Sequence, residues 1–463
     1  MKKIILYELN EVPRKLFNFY VEKYPNSSFS KISEKGILFN TITKDTGELH
    51  PWSTWPTVHR GVYNSVHNIR YINQDLSAAN SYKPIWEILS ENKINVGVFG
   101  SLQSYPPISN KYIKFFLPDT FSPSPAASNE ELFNFQKFNL NLTSDNKAIS
   151  RDFKLHQMVM FLKLLNKGTI SFNSLFSTSL HLFKESINSK YKSRRSIIQN
   201  VISFDLFKKY LIKYKPEFST YFTNHVAGMM HRYWRDLFPE DFNFTYEEKN
   251  KFHSKSILKA MHLAENNLRF LINLADREGY EIFLVSSMGQ QAIDRGKYIP
   301  EMVLREFEKF IKILKLNIKN YKLLPAMQPD YCIEAVDQTS LEELRQKLLD
   351  LKDIEGKNIF LERYEPVGLK LNLFLERSQA LVNSKLIKIK DINYPVEKLG
   401  IEIIKRDIGT GYHIPNGIMA YYGNSKNSLI KYRNIEIETN KICPTFLKMF
   451  DIEIPKYMGS PLI

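Results

Sequence analysis

Residues 3–9 read KIILYEL and run into the turn-prone Asn10-Glu11-Val12-Pro13, the pattern of a short buried strand. Apolar positions at helical spacing follow over about 14–24, then a second helical turn, then the run GILFNTI (36–42) as another strand. Residues 47–53 read as a loop, and the segment after them opens like a helix N-terminus. PIWEILSENK (84–93) and INVGVFGS (94–101) form a helix–strand pair, and YIKFFLP (112–118) adds a further strand. Strands alternating with helices of this length predict an α/β fold, with a mostly parallel central sheet covered by helices on both faces.

The pattern changes after residue 118. DTFSPSPAASNEE is a Pro/Ser-rich turn region, and it opens a long helical stretch rich in Phe, Leu and Lys. The spacing of its Phe and Leu residues predicts core positions. Sheet-like runs resume at EFSTYFTN (217–224) and YEIFLVSS (280–287), separated by a helix over 226–236 and a long amphipathic helix over about 246–277. DYCIEAV, SLEELRQKLLDLK, NIFLERY and GLKLNLFLE (330–376) suggest a small β-α-β-β unit. The resulting division is a first part of the core (1–118), a helical insertion or cap (119–215), core continued (216–325), a small α+β insertion (326–400) and a C-terminal part of the core (401–463).

Composition adds limits. A chain of 463 residues, 43% apolar and 24% charged, has the make-up of a globular protein with a large core. The N-terminal apolar run stops at Glu8 without a small-residue cleavage site, and no stretch reaches the ~18 uncharged apolar residues of a spanning helix. Cys332 and Cys443 lie far apart without metal spacing, so the expected compartment is the cytoplasm. A net charge of +15 favours an anionic partner, although scattered surface lysine accounts for much of it. The dense patch KYKSRR (190–195) falls in the helical insertion and is either a contact surface or a solvated turn.

Five segments carry candidate chemistry: IILYELNEVP (4–13), PWSTWPTVHRG (51–61), YFTNHVAGMMHRYW (221–234), FLVSSMGQQ (283–291) and GYHIPNG (411–417). In order and setting they resemble the type I phosphodiesterase / nucleotide pyrophosphatase branch of the alkaline phosphatase superfamily. Ser53-Thr54-Trp55-Pro56 stands where that branch has its nucleophile, and ICPTFLKMFDIEIPKYMGSPLI (442–463) is similar to its closing segment. The resemblance implies an alkaline-phosphatase-like sheet with Thr54, His231 and His413 retained. It also implies carboxylates that this chain lacks. Asn10 stands for an Asp, Ser287-Met288 for Asp-His, and Ala227 for the Asp four residues before His231. The second metal site is therefore expected to be missing. A closer similarity is to a branch associated with surface-polysaccharide biosynthesis, on the positions Glu8, Asn10, Glu11, Trp52, Trp55, Thr57, His59 and Gln290.

Two readings stand for the histidines. His225, His231 and His413 hold one zinc-like divalent ion, or His225 caps the strand end while the other two bond a substrate. Thr54 is either a nucleophile, with His59 or Glu11 as its base, or a helix N-cap. Asn10, Trp52, Asn224 and Gln290 are the candidate substrate contacts, and in such sheets ligands bind beyond the carboxyl ends of the strands. The expected function is hydrolysis or transfer at a nucleotide- or glycan-linked phosphate, with a small phosphorylated substrate and no nucleic acid. The alternative is a pseudoenzyme that binds a phosphorylated glycan or a partner protein. Peripheral contact with a membrane is compatible with either.

Overall fold

The computed structural model describes all residues except 1, 73, 144–169, 243–249, 297–298, 325, 327–329, 364, 405–408 and 434. The helical insertion read over 119–215 is therefore described only in part. Two compact units are present, one formed by Met1–Asn141, Ile149–Asp294 and Gly409–Ile463, the other by Leu142–Ala148 and Arg295–Ile408.

The larger unit is organised by an eight-stranded sheet. Its strands are β1 (Ile4–Leu9), β2 (Ile37–Ile42), β3 (Val96–Phe99), β4 (Ile113–Leu117), β5 (Phe218–Thr223) and β6 (Glu281–Val285). A separate short ladder pairs β7 (Gly289–Ala292) with β8 (Gly411–Ile414), and the sheet is completed by β9 (Asn416–Tyr422) and β10 (Glu436–Glu438). The order is β10-β2-β9-β6-β1-β5-β3-β4. β1 lies parallel to both β5 and β6, β3 lies parallel to β4 and β5, and only β9 runs antiparallel to its neighbours β2 and β6. The expected mostly parallel α/β sheet is the fold observed.

Alternation along β1 explains the two layers of core. Ile5, Tyr7 and Leu9 point into one cluster with helix α1 (Arg14–Lys23), while Ile4 and Leu6 point into the other. Both faces are apolar because both are covered, as parallel sheets require. Helix α2 (Pro51–Arg60) belongs to the second face and starts earlier than the sequence suggested. His50, not Thr54, is its N-cap residue, Pro51 occupies the first turn, and Gly61 closes it with φ 68°. The N-cap reading of Thr54 is thereby replaced, since Thr54 already bonds its N–H to the His50 carbonyl inside the helix.

The insertion contains helix α3 (Phe172–Ile187) and helix α4 (Arg195–Tyr214). Phe204, Leu206, Phe207 and Leu211 of α4 enter the core as expected. Helix α3 does not follow the expectation. Its Phe172, Phe176, Phe183 and Ile187 are 61–79% exposed, so they are not core residues. Helices α5 (His225–Leu237) and α6 (Ser256–Glu278) pack over β5 and β1 through Val226, Met230, Leu268 and Leu271.

The smaller unit has its own core, built from a four-stranded antiparallel sheet and the helix Gln338–Leu349, with Ile333, Leu344 and Leu371 at its centre. It begins earlier than the 326–400 read from sequence.

Candidate metal centre

Glu11 stands two residues past the end of β1, and its backbone is left-handed at φ 61°. Such a conformation is rare for a residue with a Cβ and costs about 1 kcal/mol, which marks positions held by their surroundings. The turn directs the carboxylate toward α5 and β8. Oε2 of Glu11 lies 3.0 Å from His231 Nε2 and 3.5 Å from His413 Nε2. The ligand atoms of these three residues all fall within 4.8 Å of one another. Burial alone would push the Glu11 carboxyl up, but His413 and His231 outweigh it and hold the group well below the usual carboxylate range.

Each histidine is placed by a definite local device. His231 stands on α5, and its Nδ1 lies 3.0 Å from the Gly411 carbonyl. A carbonyl only accepts, so that nitrogen carries the proton and Nε2 faces Glu11. The ladder between β7 and β8 puts His413 opposite Gln290. It can approach α5 because position 411 is glycine; a Cβ there would lie 2.5 Å from the Met230 carbonyl oxygen. Both ring nitrogens of His413 and Oε1 of Gln290 are buried and have no hydrogen-bond partner among the described residues.

Asn10 and Gln290 hold the carboxylate. Asn10 Nδ2 donates to Glu11 Oε1 at 2.8 Å and to Asn224 Oδ1 at 2.7 Å, while Asn10 Oδ1 accepts from Trp55 Nε1 at 2.8 Å. With its amide filled and 1% exposed, Asn10 positions Glu11 and does not offer itself to a substrate. Gln290 Nε2 donates to Glu11 Oε2 and to the Ala227 carbonyl. The chain thus brings Asn10, Glu11, Asn224, Gln290, His231 and His413 together.

Other expected residues lie elsewhere. His225 is not in the cluster. Its Nε2 donates to the Ala260 carbonyl at 3.0 Å and its Nδ1 accepts from the Thr223 hydroxyl at 2.6 Å, which leaves no nitrogen for an ion. His59 is not the base of Thr54, because its Nε2 meets Glu8 Oε1 at 2.7 Å in the core. Thr54 is fully buried, and its hydroxyl is shared with Ser287 at 2.7 Å.

The sequence reading overlooked two neighbours, His50 and Tyr412. His50 stacks on Trp52 at 4.6 Å and meets the His413 ring edge-on at 5.7 Å. Tyr412 stacks on His413 at 4.7 Å, and its hydroxyl donates to Glu48. The only signal for them was adjacency to Trp52 and His413 in the two motifs. Gln290 also lines a cleft of about 760 Å3 whose walls include Arg14, Trp234, Gln291 and Asn416.

His225 yields a pH prediction. Burial pushes its imidazole down to about 4, with the Ala260 carbonyl acting in the opposite sense. The neutral form is the folded one, so its stabilisation is complete above the unfolded value near 6.5 and is lost as pH falls toward 4. From this group alone the unfolding free energy should drop by roughly 1.4 kcal/mol per pH unit in that window. Urea melts between pH 7 and 4.5 check this. The slope should flatten by that amount in His225→Gln, and an unchanged slope would rule the assignment out.

No family model and no curated protein matches this chain. Among solved structures it is similar to murine ectonucleotide pyrophosphatase / phosphodiesterase 5, at 10% identity, 99% of this chain, 97% of that one and TM-score 0.41. An inactive variant of that protein in complex with AMP gives TM-score 0.42 at the same identity and coverage. Phosphonoacetate hydrolase from Sinorhizobium meliloti 1021, in complex with phosphonoformate, is similar at 10% identity, 96% and 94% coverage and TM-score 0.42. At these values the chemistry rests on the residues of this chain.

Proposed function

We propose that this chain is a phosphoric-ester hydrolase, or a phosphoryl or phosphodiester transferase, that works with one divalent metal ion held by Glu11, His231 and His413. The observation that carries the reading is the meeting of two imidazole Nε2 atoms on one buried carboxylate oxygen. His231 donates its Nδ1 proton to the Gly411 carbonyl and turns Nε2 to Glu11 Oε2 at 3.0 Å, the aim a ligating imidazole needs when a metal ion takes the place of the proton on Nε2. Two imidazoles and a carboxylate fit zinc and its neighbours, and the unpartnered nitrogens of His413 supply the third donor. Such an ion, when bound, polarises a phosphoryl oxygen and lowers the pKa of a water molecule.

The chain's own residues divide the remaining work. Glu11 stays ionised because the two imidazoles favour its anion. Asn10 and Gln290 fix its two oxygens, and the free Oε1 of Gln290 accepts from a substrate hydroxyl or from water. Trp52 with His50 forms a stacked pair suited to a base or sugar ring. Arg14 adds a positive wall to the cleft beside Gln290. The burial of Thr54 supports water as the attacking group, with Thr54 and Ser287 tying α2 to the end of β6. The motif resemblance supports a nucleotide- or glycan-linked phosphate as the substrate, in surface-polysaccharide synthesis.

Elemental analysis of the purified chain, together with turnover of bis-p-nitrophenyl phosphate and of sugar nucleotides, tests the proposal. The expected result is about one zinc or manganese per chain, lost in His413→Ala together with activity. Absence of both metal and turnover in the unmodified chain would leave the pseudoenzyme reading in its place.

A further inference from the structure

Helix α3 is inside out. Its buried stripe is polar: Ser174, Thr178, His181 and Glu185, at steps of four, three and four residues. Its outward stripe is apolar: Phe172, Phe176, Leu180, Phe183 and Ile187, with exposures of 79%, 61%, 39%, 63% and 71%. The inward stripe is tied down, which explains why the helix does not turn over. Arg195 Nη2 donates to Glu185 Oε2 at 2.6 Å, His181 Nε2 lies 2.9 Å from Glu185 Oε1, and the Ser171 N–H donates to Asp205 at 2.8 Å. The outward stripe runs for about 22 Å, and a row of that length on one face is far more than the scattered exposed residues of an ordinary surface.

The charge beside the helix is positive. Lys184, Arg194 and Lys255 stand close enough to Lys259 that, after burial, their repulsion pushes its ammonium down. Lys190 is exposed just past the helix end, and the whole chain carries +15. Apolar aromatic side chains along one face with cations at its flank are what a helix lying in a lipid interface needs. Among the described residues no helix is long and apolar enough to cross a membrane. We infer that the outward face of Phe172–Ile187 docks the protein on an anionic lipid surface, with Phe172, Phe176, Phe183 and Ile187 entering the interface and Lys184 and Lys190 facing the headgroups. None of these side chains belongs to the Glu11 cluster, and the inference does not depend on the activity proposed above.

Co-sedimentation of the full chain with vesicles tests it. Binding is expected to vesicles of phosphatidylcholine containing phosphatidylglycerol, with little to phosphatidylcholine alone, and it should weaken as salt is raised. Phe176→Ser/Phe183→Ser should lower the affinity by about tenfold or more, and Lys184→Glu/Lys190→Glu should lower it on anionic vesicles. Neither pair belongs to the metal cluster, so metal content should not change. Phe176→Trp keeps the apolar surface and should show a blue-shifted emission on vesicles. No sedimentation, equal binding to neutral vesicles, or no blue shift would overturn the assignment. So would a concentration-dependent dimer that disappears in Phe176→Ser/Phe183→Ser, which would make a second copy the occupant.

Discussion

Glu11→Ala is expected to empty the metal cluster and to lower turnover by more than about a hundredfold, the scale set by losing a metal's stabilisation of charge in the transition state. The reason is geometric. Glu11 supplies the one carboxylate within reach of both His231 and His413 among the described residues. Asn10 and Gln290 can orient it but cannot replace its charge. The same position gives a second, opposite result. Because Glu11 sits at φ 61°, glycine should be accommodated better than alanine, and Glu11→Gly should be about 1 kcal/mol more stable than Glu11→Ala while equally devoid of metal. Elemental analysis and urea melts of the two variants decide the matter. Metal retained near one per chain in either variant would remove Glu11 from the ligand set.

Six of the eight strands, β1 to β6, were legible as short, largely apolar runs, while β9 and β10 were not read as strands, and the site residues fall beyond the ends of β1, β5 and β6 as parallel topology dictates. His231 and His413 were legible as ligand candidates from their motif setting. The carboxylate was not legible as their partner. Position 227, where the resemblance leads one to look, is Ala, and nothing in ELNEVP announces that residue 11 takes a left-handed turn and points back under α5. His225 misled because adjacency to a strand end looks the same whether a histidine faces the site or folds inward onto Ala260. Helix α3 misled for a deeper reason. Its period is correct, but period fixes which residues share a face and not which face meets the core. That choice was made by Arg195 and Asp205, which lie in the next helix.

The second large effect is expected in the core, at Glu8 and His59. Glu8 is fully buried on β1, His59 is 1% exposed on α2, and they meet at 2.7 Å. The other oxygen of Glu8 and Nδ1 of His59 have no hydrogen-bond partner among the described residues. The imidazole ring lies 5.6 Å from Trp55 and 4.9 Å from Trp86. Removing one partner of a buried pair strands the other, so His59→Ala should cost about 3–5 kcal/mol, whereas apolar replacement of both is often close to neutral. Glu8→Leu/His59→Leu should therefore recover most of that loss, to within about 2 kcal/mol of the unmodified chain. Urea melts of the two single variants and the double one form a cycle, and additive losses would show that the pair is not coupled. The pair also bears on the metal. His59 packs on Trp55, Trp55 Nε1 holds Asn10, and Asn10 holds Glu11. If that succession of contacts is what aims the carboxylate, His59→Ala should weaken metal binding about 10- to 100-fold even at pH and urea concentrations where it is fully folded. The double leucine variant should restore metal affinity only as far as it restores the seat of Trp55, which separates a positioning role of His59 from a purely structural one.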